Sequence, residues 1–156
     1  MSESTAWVLD FGNSIRAAIG ELELVHLEEQ PKLFVVPKTP NYCQHTLIWQ
    51  NTIIPAVDLV IGLQGQSITR ETCYAAIIRY RSDTNSPLVY GALLLATMPI
   101  RMNIDDNLAC PLPEKLQALK TLAVSCFTLE DESIPIIGLA NVFSQSAQTI
   151  LGGKIT

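Results

Sequence analysis

The side chains best suited to chemistry are few, and their spacing does not bring them together. Cys43 and His45 form a lone Cys-x-His pair; on a strand they would share one face, because alternate residues point to the same side. A structural zinc site usually shows a second closely spaced pair. None is visible, since Cys73, Cys110 and Cys126 stand far apart with no Cys-x-x-Cys. The four cysteines are therefore expected as free thiols of a reducing compartment. A Cys–His nucleophile depends on a spatial hydrogen bond that a two-residue separation does not supply. His26 and His45 are the only imidazoles, which limits proton transfer near neutral pH. Gly62-Leu63-Gln64-Gly65-Gln66-Ser67 outlines a phosphate loop but lacks the lysine such loops use. Asp10-Phe11-Gly12 spells a kinase tripeptide in a chain far too short for that domain, and reads as a strand running into a turn. There is no G-x-S-x-G elbow and no H-E-x-x-H. Glu21, Glu23, Glu28 and Glu29 read as a solvated face, and Glu130-Asp131-Glu132 as a turn in water. No enzyme activity, metal or cofactor is expected.

Composition excludes further classes. With 156 residues, the chain is one domain or two very small ones, and with 48% hydrophobic residues it supplies a core. That apolar content also excludes a disordered chain. The net charge is −5 and the Lys and Arg residues are scattered, so nucleic-acid binding is not expected. No apolar run approaches the roughly 20 residues of a membrane span. Met1-Ser2-Glu3-Ser4 lacks the basic and apolar regions of a secretory signal, and a cytoplasmic protein is expected.

The elements that would position these residues are mostly strands. Trp7 to Phe11 and Ile15 to Ile19 flank Gly12-Asn13-Ser14 and read as a hairpin. Leu22 and Leu24 alternate with glutamates, as on a half-buried strand, although a helical turn also fits. Leu33 to Val36 is a short apolar run closed by the extended Pro37-Lys38-Thr39-Pro40. Tyr42 to Trp49 and Thr52 to Val57 form a hairpin around Gln50-Asn51, where Asn tolerates the left-handed turn conformation. Pro55 assigns its stretch to a sheet edge or bulge. Asp58 is placed to cap a short helix from Leu59 to Leu63 that ends near Gly65.

Later, Cys73 to Arg81 and Leu88 to Thr97 read as strands joined by a turn-rich connection. Pro99 to Pro113 looks irregular. Leu122 to Leu129 and Ser133 to Ile137 form another hairpin, and a terminal helix is expected over 139–151.

Two stretches repeat. Ile54-Pro55-Ala56-Val57-Asp58-Leu59 recurs 80 positions later as Ile134-Pro135-Ile136-Ile137-Gly138-Leu139. Each follows a strand and a polar turn and precedes an apolar helical stretch, so the chain reads as two similar β units. Units this small bury little alone and must pack together, and few short strands lose their edges best by closing into barrels. The approximate halves are a first barrel over 5–66 and a second barrel over 70–138, within a single domain, 1–156.

Pro40-Asn41-Tyr42, Leu47-Ile48-Trp49-Gln50-Asn51 and Ile53-Ile54-Pro55-Ala56-Val57-Asp58-Leu59 resemble the hallmark stretch of CheW-type chemotaxis coupling domains. In that family a Pro-rich loop precedes a glycine, an apolar strand ending N-L-R-G, and I-P-V-x-D-L. The resemblance covers nearly the whole chain. It implies a mainly β fold of two SH3-like five-stranded barrels packed side by side around a shared core. A short helix would follow the first barrel and another would close the chain. It also implies a non-enzymatic adaptor joining a chemoreceptor tip to a CheA-type histidine kinase. The chain departs from the pattern at Gln50-Asn51, where the family has Arg-Gly, at His45 for the glycine, and at His26, where many members carry a carboxylate.

The candidate partner-binding residues are Ile48, Gln50, Asn51, Ile53, Val57 and Leu59. Strand alternation leaves the apolar ones open to a core reading as well. Other readings are an accessory coupling protein of a pilus-motility system, or a small ligand-binding β-barrel using Cys43, His45 and Asp58.

Overall fold

Three two-residue turns hold both central positions in the left-handed region: Asn13-Ser14 (φ 54° and 66°), Gln50-Asn51 (49° and 63°) and Glu130-Asp131 (50° and 64°). Such turns match the right-handed twist of the strands they join, and each sits in a hairpin expected from the sequence. The computed structural model describes residues 3–39, 43–65, 68–81, 83–112 and 122–143. The first hairpin is β1 (Glu3–Gly12) and β2 (Ile15–Gly20). A 3-10 turn over Glu21–Glu23 leads into β3 (Leu24–Glu29) and the two-residue β4 (Phe34–Val35). Next come β5 (His45–Trp49), β6 (Thr52–Val57) and α1 (Leu59–Gln64). The second half holds β7 (Tyr74–Tyr80), β8 (Val89–Leu95), β9 (Ile100–Asp105), β10 (Ala123–Leu129), β11 (Glu132–Ile137) and α2 (Leu139–Val142).

Two local expectations needed correction. The stretch read as irregular contains β9, in which Ile100, Met102 and Ile104 alternate with polar residues; Pro99 and Asp105-Asp106-Asn107 masked that period. Leu22 lies on the 3-10 turn, the alternative reading of that segment. The terminal helix expected over 139–151 is described only to Val142, and Pro40-Asn41-Tyr42 and Gln66-Ser67 lie outside the described residues.

Two curled sheets form, of five and six strands, in the orders β10-β11-β2-β1-β9 and β3-β7-β8-β6-β5-β4. We call them the terminal and central barrels. Neither matches a half of the sequence. The terminal barrel joins the first hairpin, β1-β2, to the last strands, while the central barrel joins β7-β8 to β3–β6. The expected halves 5–66 and 70–138 are thus the repeats and not the barrels, and the two repeats exchange their leading hairpins. The sixth strand of the central barrel is β4, whose counterpart in the terminal barrel is a single bridge between Ala109 and Phe127. That bridge seals the edge between the β9 end and β10. In the central barrel the ring of His26 on β3 stacks 6.4 Å from that of Trp49 on β5, so strands near opposite ends of the sheet order meet there.

The repeat is also a structural one. β6 pairs in parallel with β8 through Ala56 and Ala92, and β11 with β2 through Ile136 and Ala18. The parallel pairings begin only after Pro55 and Pro135, so each proline lies where its strand is paired on one side, as a residue without an N–H requires.

Alternation along the strands divides the core in three. Ala6, Val8, Ala18, Phe127 and Ile134 fill the terminal barrel, and Leu47, Ile54, Ala56, Ile77 and Leu94 the central one. The intervening positions, Leu9, Phe11, Ile19, Val57, Leu59, Ile78, Leu93, Ile137 and Leu139, meet between the barrels in the largest cluster. Period-two patterning with both faces buried makes the two barrels one body.

Candidate functional site

The six candidate residues separate cleanly. Val57 and Leu59 are core: they are 1% and 0% exposed and belong to the cluster between the barrels. Their parity on β6 and at the start of α1 puts them where the barrels meet. Ile48 and Ile53 are 57% and 70% exposed and directly opposite each other on β5 and β6. Gln50 and Asn51 are exposed at the turn that joins these strands.

The outer face of this hairpin is apolar and extends sideways. Phe34 on β4 pairs with Thr46 on β5 and is exposed, as is Val35 beside it. Neither was among the expected site residues, although the short run Leu33 to Val36 was a visible signal. Beside Phe34, a pocket of about 410 Å³ opens between Glu28, Gln30, Pro31, Lys32, Leu47 and Ile48. The Lys32 ammonium lies 5.4 Å from the centre of the Phe34 ring, within cation–π range. A β-edge of two exposed apolar residues beside an exposed Ile–Ile pair is suited to protein contact, since interface cores are depleted of charge.

The repeat supplies an internal control on this face. Eighty positions on, Thr128 and Ser133 pair across β10 and β11 as Ile48 and Ile53 do across β5 and β6. The buried neighbours Phe127 and Ile134 correspond in the same way to Leu47 and Ile54. The hairpin therefore folds with polar residues at these two outer positions, and its geometry does not explain the two isoleucines.

The departures from the family pattern also have places. His26 accepts the stacking of Trp49, and its Nε2 lies 3.0 Å from Glu28 Oε1. A carboxylate thus stands on β3 two residues from where the family commonly has one. Trp49 further packs on Tyr90 at 5.3 Å, fixing the strand that leads into Gln50-Asn51.

Cys43, His45 and Asp58 do not form a ligand site. Asp58 caps α1, accepting from the Val60 and Ile61 amides, and its carboxylate is bound by Arg70, a residue the sequence reading passed over. Cys43 packs against the core between the barrels, and burial pushes its thiol above the ordinary range, away from thiolate chemistry. Among the described residues no three His, Cys, Asp or Glu side chains converge on a common point. No helix among them is long and apolar enough to cross a membrane.

No family model and no curated protein matches this chain. Solved structures do. The scaffolding protein TtCheW from Thermoanaerobacter tengcongensis is similar over 94% of this chain and 92% of its own, with a TM-score of 0.74 at 14% identity. The likeness is one of fold: the chain has a CheW-like architecture, and its two curled sheets are consistent with the paired SH3-like barrels of that fold.

Proposed function

We propose that this chain is a non-enzymatic adaptor of a bacterial chemosensory pathway, coupling a chemoreceptor tip to a CheA-type histidine kinase. The exposed Ile48–Ile53 pair, polar at the equivalent positions of the other repeat, is the observation that carries this reading. The fold shared with a scaffolding protein supports it, as does the scarcity of charge on the chain. In this reading the outer face of β5-β6, with Phe34 and Val35 beside it, is a docking surface for a helical or strand-edged partner. Gln50 and Asn51 lie at its rim.

Fully burying an isoleucine side chain is worth about 1.5–3 kcal/mol, and each factor of ten in affinity is about 1.4 kcal/mol. Partner contact over both residues therefore makes a large share of a micromolar affinity. The test is binding of the purified chain to receptor-tip fragments and to the kinase of the same cell, measured by titration. Ile48→Asp and Ile53→Asp are expected to weaken binding roughly tenfold or more each, while Val124→Asp, on the exposed face of the other repeat's hairpin, leaves it near normal. Unchanged binding in both isoleucine variants would remove this face as the docking site. Failure of the parent chain to bind either partner would remove the adaptor role.

A further inference from the structure

Cys110 and Cys126 are 16 positions apart in sequence, and their sulfur atoms are 3.2 Å apart in the structure. They lie at the seam of the terminal barrel, beside the Ala109–Phe127 bridge, and the Cys110 amide donates to the Cys126 carbonyl at 3.1 Å. With Ala109 opposite Phe127, that bond places Cys110 opposite Cys126 across the seam, and directly opposed residues of antiparallel strands have Cα atoms about 4.5–5.5 Å apart. This is the usual Cα separation across a disulfide. The sulfurs, at 3.2 Å, are about an ångström from the length of an S–S bond.

The other repeat again serves as a control. Thr46 on β5 corresponds to Cys126, and Phe34 on β4 pairs with it as Cys110 faces Cys126. The seam of the central barrel therefore closes with no thiol on either side, and the fold does not require two cysteines here. We propose that Cys110 and Cys126 are a reversible dithiol–disulfide pair that staples the terminal barrel at its seam when oxidised.

Access and reactivity agree with this. Both cysteines line a surface pocket of about 270 Å³ with Leu112, Val124 and Ser125. Burial raises the Cys110 thiol, but hydrogen bonds from Thr128, Cys126 and Ser133 outweigh it and hold the group below the ordinary thiol range. Burial, with the neighbouring Cys110 sulfur, pushes Cys126 up to about 12. Cys110 is also the more exposed of the two, Cys126 being buried, so Cys110 is the attacking sulfur and Cys126 the resolving one.

With hydrogen peroxide as oxidant, the Cys110 thiolate attacks one oxygen and the O–O bond breaks. Sulfenic acid forms on Cys110, and the hydroxide released takes up the proton Cys110 had lost. The Cys126 sulfur then attacks the sulfenic sulfur, the S–O bond breaks, and the departing hydroxyl leaves as water with the Cys126 proton. Two thiols and one peroxide give one disulfide and two waters. An external dithiol reverses the step by exchange.

The test uses the intact chain, oxidised with stoichiometric hydrogen peroxide, alkylated under denaturing conditions and mapped by mass spectrometry without reduction. The expected result is an intramolecular crosslink between peptides holding Cys110 and Cys126, with Cys43 and Cys73 still alkylated. The oxidised form should unfold at a higher urea concentration, and dithiothreitol should return it to the starting value. In Cys126→Ser, dimedone should label Cys110 after peroxide; in Cys110→Ser, Cys126 should stay unlabelled. Cys110 and Cys126 both remaining alkylated after oxidation, or crosslinks only through Cys43 or Cys73, would overturn the proposal. The mapping needs no variant, so a poorly folded serine mutant does not weaken it.

Discussion

The Arg70 guanidinium grips the Asp58 carboxylate at two points, Nη1 to Oδ2 and Nη2 to Oδ1, each at 3.0 Å. Both side chains are buried, 6% and 9% exposed. Arg70 also donates from Nε and Nη2 to the Phe11 carbonyl, at 3.1 and 2.8 Å. One planar cation thereby ties the end of β1 in the terminal barrel to the β6–α1 junction of the central barrel. The same backbone end is closely packed: Gly12 has φ 99°, and a Cβ there would lie 2.6 Å from Ile68 Cδ1. At the other repeat's junction Asp58 is replaced by Gly138, and no side-chain cap is present.

Breaking a buried, hydrogen-bonded ion pair from one side leaves a charge without a partner, at a cost of about 3–5 kcal/mol. Arg70→Met should lower the urea midpoint accordingly. Adding Asp58→Asn should recover part of the loss, because asparagine is neutral and still caps α1. Equal stability of the single and double variants would show that the buried carboxylate is not what Arg70 compensates.

Ile48 and Val57 lie on the hairpin that carries the candidate site, yet opposite outcomes are expected for them. Ile48→Asp replaces an exposed residue and should change stability by no more than about 0.5 kcal/mol. Val57→Asp places an unpaired charge between the barrels and should abolish the cooperative unfolding transition. Thermal melts followed by circular dichroism distinguish the two. A well-folded Val57→Asp protein would contradict the shared core.

Hairpin exchange makes each half incomplete. Fragments 1–66 and 67–156 each carry strands whose partners are in the other, so neither should melt cooperatively alone. Mixed in equal amounts they should recover the circular dichroism spectrum and melting of the intact chain. A monomeric fragment 1–66 with a sharp transition of its own would show that the exchange is dispensable.

Glu23 gives a pH dependence. Burial raises its pKa above 4.5, against the opposing hydrogen bond from the Gly20 amide. A carboxyl whose folded pKa is raised contributes stability below the unfolded pKa, and that contribution is lost as pH rises through the folded value. Glu23→Gln keeps an acceptor for Gly20 but cannot ionise. Relative to the parent it should therefore gain stability as pH rises from about 4 to 7. Parallel stability profiles for the two proteins would show that ionisation of Glu23 carries no penalty.

Much of the fold was legible because strand period, turn chemistry and caps are local signals. Thr52 to Val57 and the Asp58 cap were placed correctly, and Gln50-Asn51 was read as the turn it is. The I-P-x-x-x-L repeat was visible because Ile54 and Leu59 and their counterparts Ile134 and Leu139 all serve the core. β9 was missed because a proline and a run of Asp and Asn hid three alternating apolar residues. Arg70 was missed because a single arginine in a polar loop carries no sign of a carboxylate twelve positions away.

The candidate site was only half legible for a related reason. Ile48, Ile53, Val57 and Leu59 are all apolar, and sequence alone does not tell which parity faces water. By itself the sequence determined most of the strands, the three hairpin turns, the duplication and the absence of a recognisable catalytic motif. Only the tertiary structure decided which hairpin joins which barrel, that Val57 is core while Ile53 is surface, and that Cys110 and Cys126 meet. Those outcomes depend on pairings between residues distant in the chain. Such pairings are selected by burying both faces of every central strand at once, a condition that no local stretch contains.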